Sequence, residues 1–313
     1  MDKPFFMPTS YFSIPLGLGA TAIAWFHAGE ILSYGERVGN ILGITATLIW
    51  VTFIAIYSYK LVARFELVKE EWKSLFRFSF ISLIPITTMI IGDLFYHWHF
   101  ILLGETLVWT GVVGQLGYAI LKIGSLWKGN NFTTESAQPP FYLLAIASNF
   151  TSASSIALLG YTDIAYLFLG AGLIYWLTFE PILLQRLRIL PIPADVKPSL
   201  GIALAPPFVC SAAYLSINGG EIDLLVKLLW GYGFLQFLFL LRIFSWVIKE
   251  GLSIGLWSFS FGLASMANSA VEFYTDNILK GLAIFAFIFA NIIISLLILN
   301  TLIKLVQGKF WQK

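Results

Sequence analysis

The chain has 313 residues, 58% of them hydrophobic and only 12% charged, with a formal net charge of +2 and a mean hydropathy of +0.82. That composition excludes an ordinary soluble domain, in which about a quarter of the residues are charged. A single cysteine, Cys210, excludes an intrachain disulfide and any thiolate metal cluster.

Apolar runs long enough to cross a bilayer as helices recur along the whole chain. Ten spans are expected, at roughly 9–28, 38–60, 78–97, 100–122, 140–161, 163–184, 199–217, 222–247, 252–273 and 278–304. The first contains Pro15 and several glycines, has no basic leader beyond Lys3, and is followed by further spans, so it reads as a retained helix and not a cleaved signal. Short alternating strands of a barrel are missing, which leaves an all-α polytopic membrane protein. No soluble domain is left over, so residues 1–313 are expected to form one transmembrane domain.

Placing the N-terminus on side one and switching sides at each span sorts the basic residues sharply. Side one takes 16 of the 19: Lys3, Lys60, Arg64, Lys69, Lys73, Arg77, Lys122, Lys128, Arg186, Arg188, Lys197, Arg242, Lys249, Lys304, Lys309 and Lys313. Side two takes only Arg37, Lys227 and Lys280. By the positive-inside rule side one is the cytoplasm, so both termini are expected there and the spans form five antiparallel hairpins.

Odd and even spans differ. Pro15, Pro85, Pro139 with Pro140, and Pro206 with Pro207 fall in odd spans, whereas Pro181 is the one intramembrane proline of an even span. Proline frees a backbone carbonyl, which is tolerated where neighbours or a wet cavity satisfy it. Small residues recur at helical spacing in the odd spans: Ser13, Gly17, Ala20 and Ala24; Pro85, Thr88 and Gly92; Ser148, Ser152 and Ser155; Ala203, Pro207 and Cys210; Ser258, Gly262, Ser265 and Ser269. Two readings follow, a cavity lined by odd helices or close helix packing. Glycines in even spans, such as Gly111, Gly114, Gly170 and Gly231, keep both open. In the ninth span one large ring, Phe261, borders the small-residue face, since about 100° per residue puts Ser265 some 40° and Gly262 some 100° from it.

Candidate chemistry is sparse. His97 and His99, two residues apart, point to opposite sides of a helix and lack a third ligand, so they read as interfacial histidines and no metal site is expected. Asp93 has no second aspartate to form a protease dyad, and no P-loop, dinucleotide fingerprint or nucleophile elbow occurs. The remaining intramembrane acids, Glu30, Glu105, Asp163, Glu180 and Glu272, sit at span ends, which favours passive conduction over a tightly coupled pump. Basic residues at the cytoplasmic end, together with the dipole of every odd helix, would draw anions to that mouth, or serve only to set topology. No enzyme activity, cofactor or nucleic-acid partner is expected.

The stretches PTSYFSIPLGLGATAIAWF, RFSFISLIPITTMIIGD, NFTSASSIALLGY, LAPPFVCSAAYLSIN and GLWSFSFGLASMANSA resemble the TehA tellurite-resistance family over essentially the whole length. That family includes the slow-type anion channel of plant guard cells and the yeast malate transporter. The resemblance implies ten helices in quasi-fivefold order, odd helices around a central pore, and trimers with one pore per subunit. It also implies that Phe261 is an aromatic plug, and that chloride- and nitrate-class anions pass, with tellurite a further candidate. Ser13 stands where close relatives carry glycine, a departure that touches the pore lining near Pro15. The pore-lining candidates are Ser13, Pro15, Gly17, Pro85, Thr88, Ser148, Ser152, Pro207, Ser258, Gly262 and Ser265. The expected protein is a bacterial inner-membrane anion channel in contact with lipid. The alternative is a secondary transporter exporting tellurite or dicarboxylates.

Overall fold

A computed structural model describes residues 7–129 and 133–311; Lys3 and Lys313, counted above on side one, lie outside them. Twelve α-helices account for most of the described chain, and no strand occurs among the described residues. In chain order they are α1 (Ser13–Ala28), α2 (Gly35–Ala63), α3 (Phe65–Lys73), α4 (Leu83–His97), α5 (Ile101–Leu126), α6 (Tyr142–Ala145), α7 (Ala147–Leu158), α8 (Thr162–Ile189), α9 (Ala205–Asn218), α10 (Leu224–Val247), α11 (Ser260–Thr275) and α12 (Lys280–Val306). Seven helical segments are long and apolar enough to cross a membrane, and α6 with α7 make an eighth if the bent pair counts as one span.

Helices α1, α4, α7, α9 and α11 form a closed ring in which each packs on its two neighbours, α1 on α4, α4 on α7, α7 on α9, α9 on α11 and α11 back on α1. Helices α2, α5, α8, α10 and α12 lie outside, each packed on the inner helix it is joined to. The two sets differ in burial as composition requires. The inner segments Arg77–His97 and Lys197–Asn218 are 72% and 83% buried, whereas the five outer helices are 22–39% buried and turn Leu48, Leu102, Leu167 and Val306 outward. Exposed leucine and valine cost nothing against lipid tails, so a helix that is apolar all round is stable there.

Every inner helix is entered through 3₁₀ turns at its N-terminal end, α7 by way of α6: Thr9–Phe12, Arg77–Ser82, Pro139–Phe141, Lys197–Leu204 and Ile254–Phe259. The prolines belong to this device. Pro15 and Pro85 are the third residues of α1 and α4, and Pro206 and Pro207 fall in the first turn of α9, where no intrahelical N–H bond is lost. They start the α segments and do not kink them midway. The sharp break is at Ile146, between α6 and α7, where the axis turns by 41°. Gly160 and Gly219, at φ 88° and 78°, close the outer ends of α7 and α9 in the left-handed conformation that glycine adopts freely.

Polar contacts fasten the outer helices to the ring. Indole N–H groups donate from Trp25 to Asn291 (2.7 Å), Trp50 to Thr88 (3.2 Å), Trp230 to Ser269 (2.9 Å) and Trp257 to Thr301 (2.8 Å). The short helix α3 is pinned by a buried Lys60–Glu71 ion pair at 2.7 Å. The Tyr11 hydroxyl donates to the Phe310 carbonyl at 2.6 Å, joining the last hairpin to the first helix.

Candidate functional site

A cavity of about 430 Å³ occupies the ring on its outer side, and all its walls come from the five inner helices. Helix α1 with the turn after it contributes Ala20, Ile23, His27 and Glu30; α4 contributes Ile90, Asp93 and His97; α7 contributes Thr151, Ser154 and Leu158. Val209, Ala212 and Ser216 come from α9, and Phe261, Ser265, Asn268 and Glu272 from α11. Each set follows i, i+3 or i+4, i+7, the pattern of one helix face. A larger cavity of about 790 Å³ lies between α1, α2, α11 and α12, and it faces outward from the ring.

The innermost lining residue of each helix is Ala20, Ile90, Thr151, Val209 or Phe261. Four of these are small or aliphatic, and the fifth is a ring that is only 7% exposed. Phe261 therefore stands at the level where the cavity stops. Toward the outside the walls become polar, and the carboxyls of Glu30, Asp93 and Glu272 share them with His27 and His97.

Of the gate and pore-lining candidates, Phe261 and Ser265 border this cavity; Ala20, Ser269, Asp93, His97, Glu30 and Glu272, read from the sequence in other roles, border it too. Gly17 and Gly262 sit at close helix approaches: a Cβ on Gly17 would lie 2.0 Å from Ser260 Oγ, and one on Gly262 2.6 Å from Leu204 Cβ. Ser152 is fully buried, accepting from Gln115 Nε2 at 3.2 Å and facing Met89 Sδ at 3.4 Å. Thr88 holds Trp50, and Pro85 backs onto Gly111 and Gly114 of α5. Ser148 donates to the Leu144 carbonyl one turn back, while Pro15 and Pro207 are buried in the first turns of their helices. Ser13 and Ser258 are half-buried at the N-terminal ends of the inner helices, donating to the Ser10 and Pro198 carbonyls.

Several residues read as bare charges have definite partners. Lys197 lies 3.8 Å from Glu250 and 4.6 Å from the Trp246 ring, Arg186 donates to the Leu190 and Pro191 carbonyls, and Lys122 covers the Phe78 ring at 4.4 Å. These cations thus help to bind the fold. Glu180 accepts from Tyr142, Trp176, Tyr232 and Gln236, tying α6, α8 and α10. His97 Nε2 meets Glu36 Oε1 at 3.3 Å, and no group of three His, Cys, Asp or Glu side chains is placed to hold a metal among the described residues.

Asp93 is the residue whose place the sequence order concealed. It is 5% exposed, borders the cavity, and accepts from Ser155 Oγ at 2.8 Å. Its position near the end of a span suggests an interface. The signal that places it inside is its phase, since Ile90, Asp93 and His97 recur at i, i+3 and i+7 on the cavity face.

Comparisons with known proteins agree with this architecture. The sequence model of the SLAC1 family, described as voltage-dependent anion channel, matches residues 7–302. A tellurite resistance protein TehA homolog from Haemophilus influenzae is 55% identical over 313 residues, covering 100% of this chain and 95% of that protein. Two S-type anion channels of Arabidopsis thaliana are more distant. SLAH2 is 25% identical over 295 residues, which is 88% of this chain and 54% of that one, and SLAH4 is 23% identical over 319 residues, 96% and 83%.

Proposed function

The chain belongs to the SLAC1 family of voltage-dependent anion channels, and from that premise we propose that it is an inner-membrane anion channel closed by Phe261. The observation that carries the reading is the cavity walled by all five inner helices and ending at the Phe261 ring. In this reading segments 9–28 and 254–275 also cross the bilayer, because their helices belong to the same ring. That makes ten spans in quasi-fivefold order, with the termini cytoplasmic. Beyond Phe261 the path in this reading continues between the first turns of the inner helices, past the half-buried Ser13 and Ser258. Assembly as a homotrimer and a link to tellurite resistance follow the relatives.

Selection rests on dehydration. A path bordered by Ala20, Ile90, Val209 and Phe261, with the one hydroxyl of Thr151 already donating to the Ala147 carbonyl, offers few groups to replace an ion's water, so weakly hydrated nitrate and iodide should pass more readily than chloride. Replacing the ring by a methyl removes the obstruction, so Phe261→Ala is expected to raise anion conductance by about tenfold or more in planar bilayers. Unchanged current from well-folded Phe261→Ala protein overturns the gate. Slow, saturable flux that needs a proton gradient, in place of ohmic current, would favour a transporter of tellurite or dicarboxylates.

A further inference from the structure

We propose that the vestibule outside Phe261 binds oxyanions that carry their own hydrogen, and that Asp93 selects them. This rests on the anion-channel reading. Asp93 is 5% exposed and borders the vestibule; Ser155 Oγ donates to its Oδ2 at 2.8 Å, while Oδ1 is sealed from solvent and has no hydrogen-bond partner. Burying an acceptor without a donor costs free energy unless a ligand supplies one. The carboxyl turns about a broad terminal torsion, which brings an oxygen into the space its side chain borders.

The rest of the wall indicates what kind of donor fits. Thr151, Ser154 and Ser216 already have partners in Ala147, in each other and in Ala212, so Ser265, Asn268, His27 and His97 are the wall's further hydrogen-bonding groups, whereas Glu30 and Glu272 at the rim only accept when ionised. Chloride and nitrate bring no hydrogen for the Asp93 carboxyl to accept. A hydrogen oxyanion brings one O–H for Asp93 and further oxygens for the hydroxyls and the amide. The contact is then two acids sharing one proton, the arrangement in which like-charged acids can sit together.

Bicarbonate and nitrate make the test, because both are planar, singly charged and nearly equal in size, and only bicarbonate has an O–H. Permeability ratios are measured by reversal potential in planar bilayers, in mildly alkaline buffer, with Phe261→Ala as the conducting parent. Asp93→Asn is expected to lower the bicarbonate-to-nitrate ratio by about tenfold, the value of one hydrogen bond to a charged group, while nitrate current persists. Ser155→Ala keeps the carboxyl but frees Oδ2, so its ratio is expected to rise. Glu30→Gln and Glu272→Gln alter acceptors at the rim, away from the Asp93–Ser155 pair, and should move the ratio less than Asp93→Asn does. A ratio unmoved in Asp93→Asn that still carries nitrate overturns the inference, as does an equal fall in the two rim variants. If Asp93→Asn does not fold, an unmoved ratio in Ser155→Ala overturns it. Absence of current for both ions in the parent overturns the channel reading, and this inference with it.

Discussion

Gly17 and Ser260 show how the role of a small residue depends on what faces it. The stripe Ser13, Gly17, Ala20 and Ala24 suits a cavity wall or a helix contact equally, and the structure uses it for both: Ala20 lines the vestibule and Gly17 takes the Ser260 hydroxyl. Gly17→Ala would place a methyl 2.5 Å from Ser260 Cβ, so α1 and α11 must part. Overpacking of this kind costs about 1–3 kcal/mol. Its melting temperature in detergent should fall, and Ser260→Gly in the same chain should restore most of the loss; a Gly17→Ala protein as stable as the parent would contradict the close approach. Asp93 illustrates the same lesson for a charged residue. Distance along the chain from a span end does not give depth within a ring.

At the scale of the element, the division into inner and outer helices was legible. Prolines and small residues fall in the odd spans and unbroken apolar runs in the even ones, and burial follows that division. The 3₁₀ entries were not legible, because a short stretch with i→i+3 bonds differs little in composition from the first turn of an α-helix. Neither was the role of Glu180, which reads as a span-end carboxylate and proves to join α6, α8 and α10 through Tyr142, Tyr232 and Gln236. Glu180→Gln retains the shape but weakens those bonds by removing their charge, an expected loss of about 1–2 kcal/mol in thermal unfolding. Stability unchanged in Glu180→Gln would mean that the cluster is dispensable.

At the scale of the whole molecule, the topology can be checked with thiols, because the one native cysteine, Cys210, is 1% exposed and should be silent. In spheroplasts, an impermeant thiol reagent should label Thr162→Cys and Asn277→Cys at the outer ends of the hairpins. Lys128→Cys and Glu250→Cys should react only after the membrane is opened. Labelling of both sets in intact spheroplasts would break the ten-span, termini-inside arrangement. Closure of the ring joins distant parts of the chain, since α1 packs on α11 and Tyr11 holds the Phe310 carbonyl.

The sequence by itself determined the class of protein and the apolar segments, and its charge asymmetry supplies the expected side of each loop, because hydropathy and charge act locally and sum along the chain. It also placed an aromatic ring beside a face of small residues in the ninth span. Only the tertiary structure decided which face of each inner helix looks into the vestibule. That choice depends on how five helices pack on one another at once, and a rotation of one residue, about 100°, exchanges a packing stripe for a cavity wall. For the same reason it brought Asp93 and Phe261, from two separate hairpins, around one cavity, with Ser155 of a third bonded to the Asp93 carboxyl.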